Sequence, residues 1–380
     1  MNDRPVSVPT FAPVHIAGIA TTSWLPEQEA VVDELVYHAV ANALQQAGLD
    51  RHEIGLTVTS SMDVIDGRSI SAGLTNSASG GYLVDSYRLE SDVGTAIIAA
   101  AQAIAAGDVE VAVAVGAYNP ETSAAGAERR AFLEKISNLA FDPHFARPVG
   151  LTASTSYGLH AAWALERQET TIDRLADLAA REINTAIGSS RSMRTDRVTA
   201  RAVLASSPVA TPLTELMMPA SSTGAVAVVL ASMARASRLN ARGAVITGFG
   251  HATGSYLEST DWLANPGAST AMAARSAYRH AQIHNAADVV DLVEFTAPAI
   301  SLYEPLLAAL GLSDEMPMTA VNPSGGSAGN HPGLANGGLR LLEVVERLEA
   351  TDASTAVVHS VDTITGTAVL DSTVLVVERV

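Results

Sequence analysis

The strongest constraint on the fold is an alternation, kept up along the whole chain, between helical apolar spacing and short apolar runs of strand length. It predicts strands at Val14–Ala20, Ile54–Ser60 and Val109–Gly116. Between them it places an amphipathic helix at Glu29–Ala47, ended by Gly48, and an Ala-rich helix at Gly94–Ala106, stopped at Gly107. Further helices are expected at Ile172–Ile187, Ser269–His284, Ile300–Leu310 and Ala335–Leu348. The remaining strands are Ala225–Ala231, Ala244–Gly248, Val289–Phe295, Ala356–Ser360 and Ser372–Val377. Such a chain is α/β, with mainly parallel strands covered by helices.

The pattern contains an echo. Helix Gly94–Ala106 with strand Val109–Gly116 resembles helix Ala335–Leu348 with strand Ala356–Ser360, each helix following a Gly-containing turn. This points to two related halves, residues 1–235 and 236–380, the first including a loop domain.

Composition narrows the chemistry. The 380 residues carry 23 Lys+Arg against 40 Asp+Glu, a net charge of −17, which argues against a nucleic-acid or anionic-membrane partner. There is no cysteine, so thiolate nucleophiles, disulfides and cysteine-ligated zinc are excluded within this chain. Its single lysine, Lys135, sits in a polar helical run and is a poor Schiff-base candidate. Residues Met1 to Pro13 show no signal-peptide pattern, and no apolar stretch reaches the roughly 18–20 residues of a membrane span, so a cytoplasmic location is expected. No metal site and no P-loop or dinucleotide fingerprint is evident.

One segment is specific. Asn322-Pro-Ser-Gly-Gly326, then His331-Pro332, then Ala335-Asn-Gly337 running into a helix, resembles the C-terminal signature of thiolases. The similarity is to the sterol-carrier-protein type and its bacterial lipid-transfer-protein relatives. Ala105–Gly116, Tyr157–Trp163 and Ser222–Val228 also resemble parts of that family. The resemblance implies a five-layered α-β-α-β-α thiolase fold of two duplicated halves, usually dimeric.

The resemblance also implies a site, with departures. Gly94 matches the Gly three residues after the family's nucleophilic Cys, which puts Ser91 at that position. The family's His-Asp or Asn-Glu element falls on Val293-Glu294, and its second Cys falls near His359-Ser360 and the stretch to Gly366. His331 keeps its place, although the spacer is shorter and Asn330 replaces a Gly. His331 is thus the candidate for oxyanion or acid–base work, or else a structural His at a Gly-rich turn. Ser91 is a candidate nucleophile or a helix N-cap, alongside Asp92. Glu294 is a candidate general base or a solvated strand-end carboxylate. Ser360 is a weaker catalytic candidate.

For binding, Arg191, Arg194 and Arg197 (with Arg201) are candidates for the phosphates of coenzyme A, or are surface arginines. Asn322, Gly325 and Gly326 are expected to shape the backbone around the ligand. Three functions fit. One is an enzyme acting on acyl-CoA C–C bonds without an acyl-enzyme, by retro-aldol or decarboxylation chemistry, as in the thiolase-related steroid side-chain retro-aldolases. The second is a Ser91–His331 acyltransferase. The third is a non-catalytic subunit that binds acyl-CoA or a partner. No covalently bound cofactor is expected. The resemblance implies a homodimer, joined through the apolar strand after the nucleophile helix (Val109, Val111, Val113 and Val115), and a separate zinc-ribbon/OB-fold partner.

Overall fold

The computed structural model describes residues 11–66, 73, 75–120, 126–239, 243–254, 261–313, 320–363 and 371–380. Sequence readings on Met1–Thr10 and on Ile364–Gly366 fall outside the described residues. The chain is mixed α/β. Its main elements are β1 (Val14–Thr21), α1 (Val32–Ala47), β2 (Leu56–Ser60), β3 (Asp85–Leu89), α2 (Val93–Ala106) and β4 (Val111–Tyr118). Then come α3 (Gly126–Leu139), α4 (Ala153–Glu166), α5 (Ile172–Ala186), β5 (Gly224–Ser232), β6 (Ala244–Thr253) and α6 (Ala268–His280). β7 (Leu292–Phe295), α7 (Asn336–Ala350), β8 (Thr355–Val361) and β9 (Asp371–Arg379) complete the set.

Local chemistry fixes the helix ends. Gly48 and Gly107 end α1 and α2 in the left-handed conformation, at φ 65° and 83°, where a side chain would be strained. Asp92 caps α2 by accepting from the Gly94 N–H. β3 and α4 carry weak apolar periodicity, and the sequence pattern does not mark them as discrete elements; α3 is the polar helical run that holds Lys135.

The strands form one nine-stranded sheet in the order β3-β2-β4-β5-β1-β6-β9-β8-β7. The order in one group, β2-β4-β5-β1, is matched by β7-β8-β9-β6 in the other, with α1 and α6 and then α2 and α7 at corresponding places in the chain. Only two residue pairs join the groups, Val14↔Ile246 and His15↔Val245. The sheet is more mixed than helix–strand alternation implies. β2 runs parallel to β3 and β4, and β8 to β7, whereas the contacts of β1, β5, β6 and β9 are antiparallel. One reason is that only residues 362–370 separate β8 from β9, fewer than the dozen or so a parallel crossover needs.

α1 buries one face of the first strand group against Val111, Val113 and Val115. Helices α2 and α7 share a core with strands of both groups. α6 covers the second group beside Val357, Val374 and Val376. The segment carrying α4 and α5 lies in the first half of the chain, yet its apolar residues Tyr157, Leu175 and Leu178 belong to this same second core.

Two packing contacts repeat. A Cβ on Gly18 of β1 would lie 2.3 Å from the Ala43 carbonyl oxygen in α1. A Cβ on Gly250 of β6 would lie 1.9 Å from the Ala273 carbonyl oxygen in α6. In each group a helix backbone rests directly on a strand glycine.

The expected dimer edge is corrected. β4 is an interior strand, hydrogen-bonded to β2 on one side and β5 on the other, with all of its residues buried. Its apolar run satisfies two core faces and not an interface. Among the described residues the sheet ends at β3 and β7, and β3 is the end whose side chains are exposed or half-exposed.

Gly250→Ala should destabilise the protein by about 1–3 kcal/mol, the usual cost of forcing a methyl into packed backbone. Gly188→Ala, whose Cβ would meet only the Thr185 carbonyl oxygen at 3.7 Å, should be near neutral. Urea midpoints of the two variants check the pair.

Candidate functional site

The motif Asn322–Gly326 folds as a tight turn, with Asn322, Gly325 and Gly326 at φ 43°, 83° and 53°. The Asn322 side chain is spent inside the protein. Its Oδ1 accepts from the Phe295 N–H at 2.8 Å, and its Nδ2 donates to Glu182 at 3.2 Å. Gly325 lies against α5, where a Cβ would be 2.4 Å from that of Ala186. These three residues therefore shape backbone. Glu182 is buried there, and desolvation pushes its carboxyl up to about 7.

The turn is anchored by a buried ion pair. Arg340 of α7 donates to Glu294 at 2.9 Å, to the Ser324 hydroxyl at 2.9 Å and to the Asn330 carbonyl at 2.9 Å. Glu294 also accepts from the Ser324 N–H and hydroxyl. It is 0 % exposed in mid-strand, so it is neither a solvated strand-end carboxylate nor free to take a proton from a ligand. Its neighbour Val293 is fully buried as well.

His331 emerges from this frame. Its N–H donates to the Ala220 carbonyl at 2.8 Å, and its Nδ1 accepts from the Gly333 N–H at 3.1 Å. The proton of the neutral ring is therefore on Nε2. That Nε2 is buried and, among the described residues, has no partner. Desolvation lowers the pKa to about 4, so the ring is a neutral N–H donor at physiological pH.

His331 lines a cleft of about 430 Å³. Around it stand Tyr118 at the end of β4, Tyr157 on α4, Arg194, Ser221 and Thr363. Burial pushes the Tyr118 hydroxyl up to about 12. It raises the Tyr157 hydroxyl too, as does the nearby charge of Asp362. Asp362 is buried next to Thr363, and its charge also acts on Asp92. Sequence reasoning does not single out Tyr118, Tyr157 or Asp362, although Tyr157 and Asp362 lie within the segments Tyr157–Trp163 and His359–Gly366 that carry the resemblance.

Ser91 and Ser360 are placed differently. The Ser91 hydroxyl donates to Asp371 at 2.7 Å and lies 3.1 Å from the Thr95 hydroxyl; the other oxygen of Asp371 is 2.6 Å from His251 Nε2. Since His331 Nε2 has no partner and Nδ1 is taken by Gly333, no hydrogen bond joins Ser91 to His331. Ser91 does not line the 430 Å³ cleft. Ser360 is buried, donating to Asp92 at 2.6 Å and lying 2.7 Å from the Thr373 hydroxyl.

The arginines separate. Arg191 pairs with Glu346 and, at 3.2 Å, with Glu343. Arg197 is exposed. Arg194 is half-buried in the cleft wall, its Nε donating to the Ala328 carbonyl at 3.2 Å. Among the described residues no group of three or more His, Asp or Glu is placed to hold a metal, and no helix is long and apolar enough to cross a membrane.

Asp92 joins the starts of two helices. Its Oδ1 accepts from Gly94 N–H at 2.8 Å and its Oδ2 from Gly337 N–H at 3.0 Å, at the starts of α2 and α7. Asp92→Ala should cost about 2–4 kcal/mol, from two lost caps and the lost hydrogen bond from the Ser360 hydroxyl. Desolvation raises its carboxyl from 3.8 to about 7. Between those values the folded state keeps a proton that the unfolded chain has released. This group's contribution is thus present below about pH 3.8 and lost as pH rises through about 7. Chemical denaturation at pH 5 and pH 8 should show wild type losing stability relative to Asp92→Asn, which does not titrate.

No family model matches the chain, and no curated protein matches it in sequence. Among solved structures it is similar to the "Ltp2-ChsH2(DUF35) aldolase", with TM-score 0.78 and 20% identity over 98% of this chain and 99% of that one. At that identity the likeness establishes a shared α/β fold.

Proposed function

We propose that the protein is a thiolase-like lyase that cleaves a C–C bond of a β-hydroxyacyl-CoA thioester by retro-aldol chemistry, without an acyl-enzyme. The observation that carries this reading is the buried, unpartnered Nε2–H of neutral His331 at a cleft in a chain with no cysteine. A neutral N–H donor stabilises a thioester enolate oxygen, which is the charge such a reaction develops. Asp362, which precedes the cleft residue Thr363 and whose charge acts on the cleft residue Tyr157, is the candidate base in this reading. It takes the β-hydroxyl proton, the O–H electrons form the new carbonyl, and the Cα–Cβ bond breaks. The electron pair passes to the thioester as an enolate held by His331, and a proton returned to Cα completes the acyl thioester. The similar solved structure is that of an aldolase, which supports this class of reaction.

A Ser91 acyltransferase has less support, because the Ser91 hydroxyl is engaged by Asp371 and not by His331. Assembly belongs to the same reading. A homodimer forms through the β3 edge, where Tyr87 is 54% exposed. In the similar solved structure Ltp2 is joined with a DUF35 component, ChsH2, which supports a separate partner here. That partner is a zinc-ribbon/OB-fold protein on the family resemblance. The non-catalytic alternative predicts acyl-CoA binding with no turnover in either the isolated chain or the complex.

Release of an aldehyde or ketone from β-hydroxyacyl-CoA probes, followed by mass spectrometry with and without the partner, tests the lyase. His331→Ala should lower kcat by about 10²–10³-fold, the usual loss for one oxyanion donor. Because His331 is neutral above about pH 4, the pH profile should show no histidine limb near 6.5. A stable covalent acyl adduct on Ser91 would overturn this mechanism. Light scattering should give a dimer, and Tyr87→Pro in β3 should shift it toward monomer.

A further inference from the structure

Arg194 is the unexplained charge of the cleft. It has no carboxylate in ion-pair contact among the described residues; its hydrogen bonds go to the carbonyls of Ala328 (3.2 Å) and Met218 (3.5 Å). Burial disfavours its charged form, and the charge of Glu215 in the same wall, already paired with Arg130, offsets only part of that. The other acids and bases of the wall have partners: Arg130 pairs with Glu215 at 3.0 Å, and Glu134 accepts from Ser154 at 2.6 Å. A half-buried guanidinium held only by carbonyls is a receptor for an anion.

Its place says which anion. Arg194 is anchored at Ala328 and Met218, while His331 is anchored at Ala220. On both strands of that contact the two anchor points are two or three residues apart. Guanidinium and imidazole both line the same cleft of about 430 Å³. If His331 holds the thioester oxygen, the whole pantetheine arm separates that point from the nearest phosphate of coenzyme A. The charge next to His331 therefore belongs to the acyl side.

We propose that Arg194 binds a carboxylate on the acyl portion, so that the substrate is a β-hydroxyacyl thioester with a carboxylate at or near Cβ and the released fragment is a keto acid. This rests on the lyase reading and gives Arg194 a different anion from the coenzyme A phosphates expected for it from the sequence. The cleavage balances: the β-hydroxyl proton goes to the base, the Cα–Cβ pair becomes the enolate, and reprotonation at Cα leaves an acyl thioester and a keto acid.

The test is calorimetry of the full chain with β-hydroxy-β-carboxybutyryl-CoA, its β-carboxamide counterpart and free coenzyme A. Wild type should bind the carboxylate probe about tenfold or more tighter than the amide, the scale of a charge-assisted hydrogen bond. Arg194→Gln should abolish that preference while leaving the amide and free coenzyme A unchanged, and Arg194→Lys should retain part of it. Equal binding of both probes by wild type overturns the proposal. So does an Arg194→Gln variant that loses affinity for free coenzyme A to the same degree, since that marks a phosphate site. If Arg194→Gln does not fold, the wild-type preference and Arg194→Lys decide. Turnover is read separately. Preference without cleavage sinks the lyase reading alone; cleavage of both probes at equal rates, unaffected by Arg194→Gln, sinks the carboxylate site alone.

Discussion

The carboxylate of Asp92 ties together the first turns of α2 and α7, one helix from each half of the chain. A helix start leaves N–H groups without partners, and a buried start must find them elsewhere. Here one side chain serves two helices, accepting from Gly94 in α2 and Gly337 in α7. Both macrodipoles point their positive ends at it, which offsets part of the desolvation of a carboxylate 2 % exposed. Glycine is required at both contacts. A Cβ on Gly94 would lie 2.3 Å from the Thr373 hydroxyl, and one on Gly337 would lie 2.2 Å from Asp92 itself. The Gly-containing turns of the sequence echo are thus the places where two helices approach one acid.

The second dependency runs from α7 to the His331 turn. Arg340 is 1 % exposed and Glu294 is 0 % exposed, so neither charge is stable there alone. Together with Ser324 and the Asn330 carbonyl they form a network that ties α7, β7 and both sides of the motif. Replacing such a pair by apolar residues can be neutral for stability. What the charged version adds is direction: the Asn330 carbonyl is held, and the next residue, His331, is aimed.

The alternation of periods carries the α/β class and most element positions, because buried strands and amphipathic helices write themselves into local spacing. β3 escapes notice because Asp85–Leu89 lies exposed at an edge, where no apolar alternation is demanded. The pairing directions escape as well, since they depend on partners far away in the chain. At the site, His331 is legible from its motif. Glu294 is found as a residue but not as half of an ion pair, because Arg340 lies 46 positions away. The charge of Asp362 reaches Tyr157 only through the fold, from just after β8 to α4, so no spacing announces the pair.

The absence of cysteine and the state of His331 bear on each other. A histidine that activates a nucleophile must accept its proton, and a pKa near 4 makes this ring a reluctant base. Nδ1, the nitrogen able to accept, is occupied by the Gly333 N–H. What remains is Nε2–H, a donor with its direction fixed by the Gly333 contact and by the backbone bond to Ala220. Such a group is ill-suited to making a serine attack and well suited to holding an oxygen on which charge gathers. Ser91 fits the same division, since its hydroxyl proton points at Asp371 and a ring nitrogen able to take it is not at hand in His331. What His331 offers this cleft is therefore a fixed N–H dipole and not a proton acceptor.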